Sequence, residues 1–218
     1  LVGRFASSIV HDLKNPLCII GLAAELMAQP VAGPKERTTA RERIAKQVER
    51  ITHMVNDILE FTKGGASDPM FIRLDYAAYI HSVVEEFRPE LLDRSVTLDL
   101  ENEPPATTLA INPQRLNRVF NNLFGNATDM LPGGGSLRLR FQASDSAITT
   151  EIEDSGPGIP PEVAGRLFEA FVTFGKPKGT GLGLSIVKKI IEEHCGAIHA
   201  WNRPGGGAVF AFTLPRTA

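Results

Sequence analysis

The chain has 218 residues, a hydrophobic share of 43% and a formal net charge of −2. This length suits one large domain or two small ones, and the near-neutral charge gives no general attraction for nucleic acid or an anionic membrane surface. Cys18 and Cys195 lie far apart, which argues against a disulfide framework and a zinc site and fits a reducing cytosol. No apolar run reaches the roughly 20 residues of a transmembrane helix. Because the sequence starts at Leu1 inside a helical pattern, we expect further residues upstream.

The first predicted element is a long amphipathic helix that ends at the turn over residues 29–34. Its apolar residues recur at steps of three and four: Val2, Ala6, Ile9, Leu13, Leu17, Ile20, Ala24 and Met27. At 100° per residue, His11 lies about 160° from the middle of this stripe, so we expect an exposed imidazole. Asp12 follows it, and Asn15 lies one turn later on the same face. The alternative is an ordinary solvated helix face that happens to carry a histidine.

The second predicted helix covers residues 35–63 and has a narrow apolar seam with heptad spacing, formed by Ile44, Val48, Ile51, Val55 and Ile58. A hairpin of two such helices buries one seam, so we expect two copies to form a homodimeric four-helix bundle. The alternative is that the hairpin packs on the rest of its own chain. We assign residues 1–64 to this hairpin domain.

A turn-rich segment follows, and we interpret residues 65–72 as a linker to a second domain over residues 73–218. The patterns there predict helices over 74–94, 113–131, 162–168 and 183–194, and strands over 96–100, 109–111, 137–141, 147–153, 198–201 and 208–214. Asn112 and Pro113 are a typical helix cap and first helical residue. We therefore expect an α/β sandwich with its helices on one face of a mixed sheet.

Two short groups of residues in this domain suggest a nucleotide site. Asn122 and Asn126 share a helix face, and an amide oxygen suits the partial protein coordination that Mg²⁺ accepts. Asp154 stands at a strand end before Gly156 and Gly158, where a carboxylate can accept a hydrogen bond from an exocyclic amine such as that of adenine. The alternatives are surface asparagines and an ordinary glycine turn.

A third group, residues 175–185, precedes a predicted helix and alternates glycines with two lysines, Lys176 and Lys178. Backbone N–H groups, the helix dipole and the lysine charges together favour a phosphate. The spacing is neither that of a P-loop nor that of a dinucleotide-binding motif. Upstream, Phe171 and its aromatic neighbours could form a lid over a ligand, with core packing as the alternative.

Taken in order, five motifs closely resemble the H, N, G1, F and G2 boxes of two-component sensor histidine kinases. They are His11 to Leu17, Asn122 to Ala127, Asp154 to Gly158, Phe168 to Phe171 and Gly179 to Leu184. The resemblance covers nearly the whole chain. It implies a phosphoacceptor hairpin followed by an ATP-binding domain of the Bergerat type, which gyrase and MutL share.

The resemblance also implies residue roles. His11 would accept the γ-phosphoryl group of ATP, Asp12 would act as its base, and Asn15 would orient water for dephosphorylation of the partner. Asn126 would hold Mg²⁺. Nucleotide-binding positions would be Asn122, Asn126, Asp129, Asp154, Gly156, Gly158, Ile159, Phe171, Lys176, Lys178, Gly179, Thr180, Gly181, Leu182 and Gly183.

The sequence departs from the commonest family pattern in two places. Residues 129–135 replace the lysine or tyrosine that many members carry there, which resembles a nitrogen-regulator-like branch and shifts phosphate neutralisation toward the lid lysines. Asp12 stands where Glu is commoner.

From the resemblance we expect a cytoplasmic ATP-dependent histidine kinase core that passes its phosphoryl group to an aspartate of a response regulator, and possible dephosphorylation of that regulator through Asn15. Upstream anchoring of the full-length protein in a membrane stays open. We expect no nucleic-acid partner and no membrane contact from this segment. The alternatives are a Bergerat-type ATPase and a nucleotide-binding scaffold without phosphotransfer.

Overall fold

In a computed structural model, the structure describes residues 2–62, 70–173 and 181–216. These divide into two compact units, an N-terminal helical hairpin and a C-terminal unit that holds the sheets. The predicted linker falls largely outside the described residues. No helix in the described ranges is both long enough and apolar enough to span a membrane.

The hairpin consists of α1 (Val2–Ala28) and α2 (Pro34–Thr62), as the proline-rich break predicted. Side chains from the start of α2 fix the turn between the helices. The Glu36 carboxylate accepts a hydrogen bond from the Gly33 N–H at 2.7 Å, and Arg37 Nε donates to the Ala32 carbonyl at 3.1 Å. These bonds satisfy backbone groups that a helix end leaves without partners.

The buried faces of the two helices differ from the predicted stripes. In α1, Pro16 and Ala23 are buried, whereas Leu17, a member of the predicted stripe, is 55% exposed. In α2, Ala40 and Met54 are buried, whereas the seam residue Val48 is 51% exposed. In the single chain, the hairpin contact therefore covers only part of each predicted stripe, and the predicted bundle with a second copy is not tested by these exposures.

The second unit contains the remaining elements. They are β1 (Ile72–Asp75), α3 (Tyr76–Asp93), β2 (Val96–Leu100), β3 (Thr108–Ile111), α4 (Pro113–Asp129), β4 (Gly135–Ala143), β5 (Ala147–Asp154), α5 (Pro161–Ala164), α6 (Gly183–Glu193), β6 (Ile198–Asn202) and β7 (Ala208–Pro215). The main sheet has the order β2-β4-β5-β7-β6, in which β2 and β4 are parallel and the other pairs are antiparallel. β1 and β3 form a separate antiparallel pair.

Two predicted elements need correction. The helix predicted to start at Leu74 starts at Tyr76, because Leu74 and Asp75 belong to β1, and the Asp75 carboxylate caps α3 by accepting the Ala78 N–H at 2.8 Å. The helix predicted over 162–168 is a single turn, which ends at its C-cap Gly165.

The helices cover one face of the main sheet, as predicted. Phe120 of α4 packs edge-on against Phe212 of β7, with ring centroids 5.8 Å apart, and against Phe124 at 5.6 Å. The opposite face carries ion pairs across neighbouring strands, including Arg140 with Glu101 at 2.8 Å. The unit is therefore a two-layer sandwich with one apolar and one largely charged sheet face.

Candidate functional site

Asp154 ends β5 and is the most constrained of the predicted site residues. Alternate residues of β5 are buried, and this alternation places Asp154 on the core face, where it is 7% exposed. Its Oδ1 accepts hydrogen bonds from the backbone N–H groups of Gly156 at 2.8 Å and Ala208 at 3.2 Å. Burial raises the pKa of the carboxyl group, and the two N–H bonds oppose this effect. Both bonds use Oδ1, so Oδ2 is left to accept a bond from a ligand amine.

The glycines after Asp154 are required by the turn itself. A Cβ on Gly156 would lie 2.9 Å from Asp154 Oδ1, and a Cβ on Gly158, whose φ is +86°, would lie 2.7 Å from Asn202 Oδ1. Ile159, predicted to contact the nucleotide, is buried, and its backbone is hydrogen-bonded by Asn202. The sequence pattern thus located the turn, while its partner Asn202 was not predicted.

Asn122 and Asn126 lie one turn apart on α4, and both are half-buried. The Asn122 amide is oriented by its Nδ2, which donates to the Arg118 carbonyl at 3.0 Å. Its Oδ1 lies beside the start of α6, because a Cβ on Gly183 would be 2.6 Å from it. The structure therefore brings together two of the predicted positions, Asn122 and Gly183.

Asp129, the last residue of α4, is exposed and lies 3.8 Å from Arg94, measured from Oδ1 to Nη1. The next residue, Met130, lies beside the turn that follows Asp154, since a Cβ on Gly156 would be 3.5 Å from Met130 Cβ. The C-terminal end of α4 thus adjoins the Asp154 loop. Asp129 itself pairs with a surface arginine.

Histidine 194 joins the two helices that carry Asn122 and Gly183. Its ring is 4% exposed, Nε2 accepts the Asn112 N–H at 3.1 Å, and Nδ1 lies 2.7 Å from the Ile190 carbonyl. These partners require a neutral ring with the proton on Nδ1, and burial lowers the pKa of the imidazole. Beside it, Arg115 and Glu193 form an ion pair at 2.5 Å. Because the start of α4 meets the end of α6, the helices are antiparallel, which explains how Asn122 reaches Gly183.

The predicted phosphate and lid segments are described in part. Lys176, Lys178, Gly179 and Thr180 lie outside the described residues. Gly181 has a φ of +67° and Leu182 is buried, directly before α6 begins. Phe171 is 37% exposed and has a φ of +68°, which is uncommon for a residue with a side chain. Strained backbone of this kind is frequent at functional sites, which agrees with a lid role for Phe171. That role stays a prediction.

His11 and Asp12 lie in α1, and their side chains are outside the described part of the structure. The helix backbone places His11 about 130° from the direction of Pro16 and Ala23, the buried face of α1. Asn15, one turn later, is exposed. An exposed His11 imidazole therefore stays a prediction from the sequence.

Two family models match the chain. Residues 111–218 match the model described as histidine kinase-, DNA gyrase B-, and HSP90-like ATPase, and residues 1–67 match the His Kinase A (phospho-acceptor) domain.

Similar proteins carry both regions. Adaptive-response sensory kinase SasA of Synechococcus sp. (strain JA-3-3Ab) is 29% identical over 97% of this chain and 59% of its own length. A putative sensor histidine kinase, NtrY-like, of Rickettsia bellii (strain RML369-C) is 31% identical over 94% of this chain and 34% of its own. The crystal structure of histidine kinase ThkA in complex with response regulator protein TrrA matches with a TM-score of 0.81 and 26% identity, covering 99% of this chain and 62% of that one. The chain thus spans between 34% and 62% of the length of these relatives.

Proposed function

Because this chain belongs to the two-component sensor histidine kinases, we propose that it transfers the γ-phosphoryl group of ATP to His11 and then to an aspartate of a response regulator. The family and the fold class predicted from the sequence are confirmed. The branch within the family stays a prediction, since the SasA and NtrY-like proteins are similar to the chain to nearly the same degree. We place the reaction in the cytoplasm, where ATP and response regulators are found.

The observation that carries this proposal is the oriented, buried Asp154, in the same chain as a helical hairpin whose first helix contains His11. A carboxylate fixed through one oxygen can accept the adenine amine through the other, which selects adenine over guanine. The Asp154 turn and α4 then define one end of the nucleotide site. We assign Gly181, Gly183 and the lysines Lys176 and Lys178 to the phosphate end.

We further propose that Asn126 holds Mg²⁺, with Asn122 shaping the surrounding shell. The residues present fit a hard cation, because Asn122 and Asn126 carry amide oxygens on one face of α4, and the missing Cβ of Gly183 lets Asn122 Oδ1 lie beside the start of α6. When bound, Mg²⁺ would neutralise phosphate charge.

At the hairpin, His11 would attack the γ-phosphorus with one ring nitrogen while Asp12 keeps that nitrogen free of its proton, and ADP would leave. The chain therefore divides the work between a unit that holds ATP and a hairpin that presents the nucleophile. Effective transfer depends on bringing the two into line, which makes the connecting segment a natural control point.

Incubation with γ-labelled ATP and Mg²⁺ tests the assignment. We expect a label that is acid-labile and base-stable, lost in His11→Gln and retained in the control His81→Gln, which alters a half-exposed histidine on α3. ATP hydrolysis without a covalent label would contradict the proposal and indicate a Bergerat-type ATPase. Nucleotide binding without either reaction would indicate a scaffold.

We also propose that Asn15 supports dephosphorylation of the regulator. It is exposed one turn beyond His11, within reach of a group carried by the imidazole. Asn15→Ala should slow dephosphorylation of the phosphorylated regulator and leave autophosphorylation of His11 largely intact. Equal loss of both rates would contradict this role.

A homodimer is the fourth part of the proposal. A second apolar stripe on the hairpin remains exposed in the single chain, and it comprises Val10, Leu17, Val48, Val55 and Leu59. Exposed stripes of this kind on both helices suit a four-helix bundle formed with a second copy.

A further inference from the structure

The turn between β6 and β7 contacts the Asp154 loop at both of its ends. At the far end, Asn202 Oδ1 accepts the Ile159 N–H at 2.5 Å, and Asn202 Nδ2 donates to the Ile159 carbonyl at 2.7 Å. At the near end, the Ala208 N–H donates to Asp154 Oδ1 at 3.2 Å. The backbone of the turn is also packed closely, since a Cβ on Gly207, whose φ is +93°, would lie 2.1 Å from the Asp154 carbonyl oxygen.

We propose that Asn202 is a positioning residue for the nucleotide, which acts by holding the loop from Asp154 to Ile159 in its binding conformation. By pairing with both backbone groups of Ile159, its side chain fixes the end of the loop that Asp154 does not reach. The inference rests on the proposed function, because it assumes that Asp154 binds adenine. Asn202 itself touches the protein loop.

The physical basis is preorganisation. A loop that contains Gly156 and Gly158 has more conformational freedom than one of ordinary residues, and ordering it on binding would reduce affinity. The two hydrogen bonds from Asn202 restrict that freedom before the nucleotide arrives. Their loss should therefore weaken nucleotide binding. It should also reduce the preference for adenine over other bases, since the position of the Asp154 carboxylate depends on the same loop.

The chain offers a closely matched control. Asn102 makes the same pair of bonds to Phe141, donating from Nδ2 to its carbonyl at 2.8 Å and accepting its N–H at 2.9 Å. Asn102 follows β2 at one edge of the main sheet, whereas Asn202 ends β6 at the other edge. Asn102→Ala thus removes the same chemistry away from the loop.

The test is isothermal titration calorimetry of the whole chain with ADP and with inosine diphosphate. The base of inosine diphosphate carries a carbonyl oxygen in place of the adenine amine. For Asn202→Ala we expect about tenfold weaker ADP binding and a smaller ratio between the two affinities, from the loss of two hydrogen bonds. Asn102→Ala should lower the unfolding temperature about as much as Asn202→Ala does, but it should leave both affinities unchanged. Asn202→Asp, which keeps the shape and the acceptor but loses the donor, should weaken ADP binding by a smaller factor.

Unchanged ADP affinity and base discrimination in both Asn202 variants would overturn the inference. Equal losses of ADP affinity in Asn202→Ala and Asn102→Ala would overturn it too. Should Asn202→Ala fail to fold, Asn202→Asp decides alone. Asp154→Asn separates the two proposals, because retention of ADP affinity and discrimination in that variant would overturn the adenine site itself. If Asp154→Asn loses them while the Asn202 variants do not, the positioning role alone is wrong.

Discussion

The two units of the chain bury their apolar residues to very different extents. In the α/β unit, large side chains such as Phe120, Phe124 and Phe212 are at most 2% exposed. In the described part of the hairpin, the buried hydrophobic residues Ala23, Ala40 and Met54 are mostly small, while residues such as Leu17 remain more than half exposed. Such a hairpin has too small a core of its own, so its stability should depend on a second copy, whereas the α/β unit should not.

The largest effect is expected in the α/β core. Phe120→Ala removes a fully buried ring that contacts Phe124 and Phe212, and should lower the free energy of unfolding by about 3 to 5 kcal/mol. Denaturant unfolding at several protein concentrations measures this loss, which should not vary with concentration. Leu92→Ala, at a position that is 56% exposed, serves as the control and should stay within about 0.5 kcal/mol of the wild type. A loss below about 1 kcal/mol for Phe120→Ala would contradict the assigned core.

The next effect concerns the junction of α4 and α6. His194→Ala leaves the Asn112 N–H without its acceptor and opens a cavity, so we expect a loss of about 2 to 3 kcal/mol at neutral pH.

The same residue predicts a dependence on pH. Since burial lowers the pKa of His194, the unfolded chain takes up its proton first on acidification, and stability should fall as the pH drops below about 6.5. Unfolding should be measured from pH 8 to pH 5, comparing the wild type with His194→Gln, which should reduce the slope. Arg115 and Glu193 face this site, so the control His81→Gln, at a half-exposed position on α3, corrects for general charge effects. An unchanged slope in His194→Gln would contradict the neutral ring.

A charge introduced into the exposed stripe of the hairpin should weaken the homodimer and leave the folding of the α/β unit largely unchanged. Val48→Asp places a carboxylate in the exposed apolar stripe and should weaken the dimer by about 2 kcal/mol, roughly 30-fold in dissociation constant. Analytical ultracentrifugation measures the shift, and Lys46→Asp, on the other side of α2, is the control. A wild-type chain that stays monomeric at micromolar concentration, or a Val48→Asp variant that remains a dimer, would rule out this interface.

Local signals in the sequence predicted most elements correctly. The start of α4 followed from Asn112 and Pro113, and the structure confirms the cap, with Asn112 Oδ1 accepting the Arg115 N–H at 3.1 Å. β1 was missed because it depends on pairing with β3, more than 30 residues away, which no local pattern reveals. The residues buried within the hairpin did not follow from the sequence either, because periodicity identifies apolar stripes but does not tell which neighbour covers them.

The candidate site shows the same limit. Asp154 and its glycines were identified from their order along the chain, which local turn chemistry explains. Asn202 and His194 were not, because their partners are 43 and 82 residues away in sequence and a lone Asn or His carries no recognisable pattern. The residues that hold the site in place are thus the ones that only the folded chain identifies.

The smallest effect separates charged surface from structural contact. On α6, Lys188 and Glu192 lie 3.8 Å apart with about half of each side chain exposed, so a double-mutant cycle to alanine should give a coupling of at most about 0.5 kcal/mol that decreases with salt. The Arg115–Glu193 pair, about three-quarters buried and joining α6 to α4, should give a larger and less salt-dependent coupling in the same cycle. Equal coupling energies for the two pairs would mean that the Arg115–Glu193 pair stabilises the chain no more than an ordinary surface ion pair. The difference expected here would show that, within the α/β unit, an ion pair joining two elements stabilises the fold more than an exposed pair on one helix.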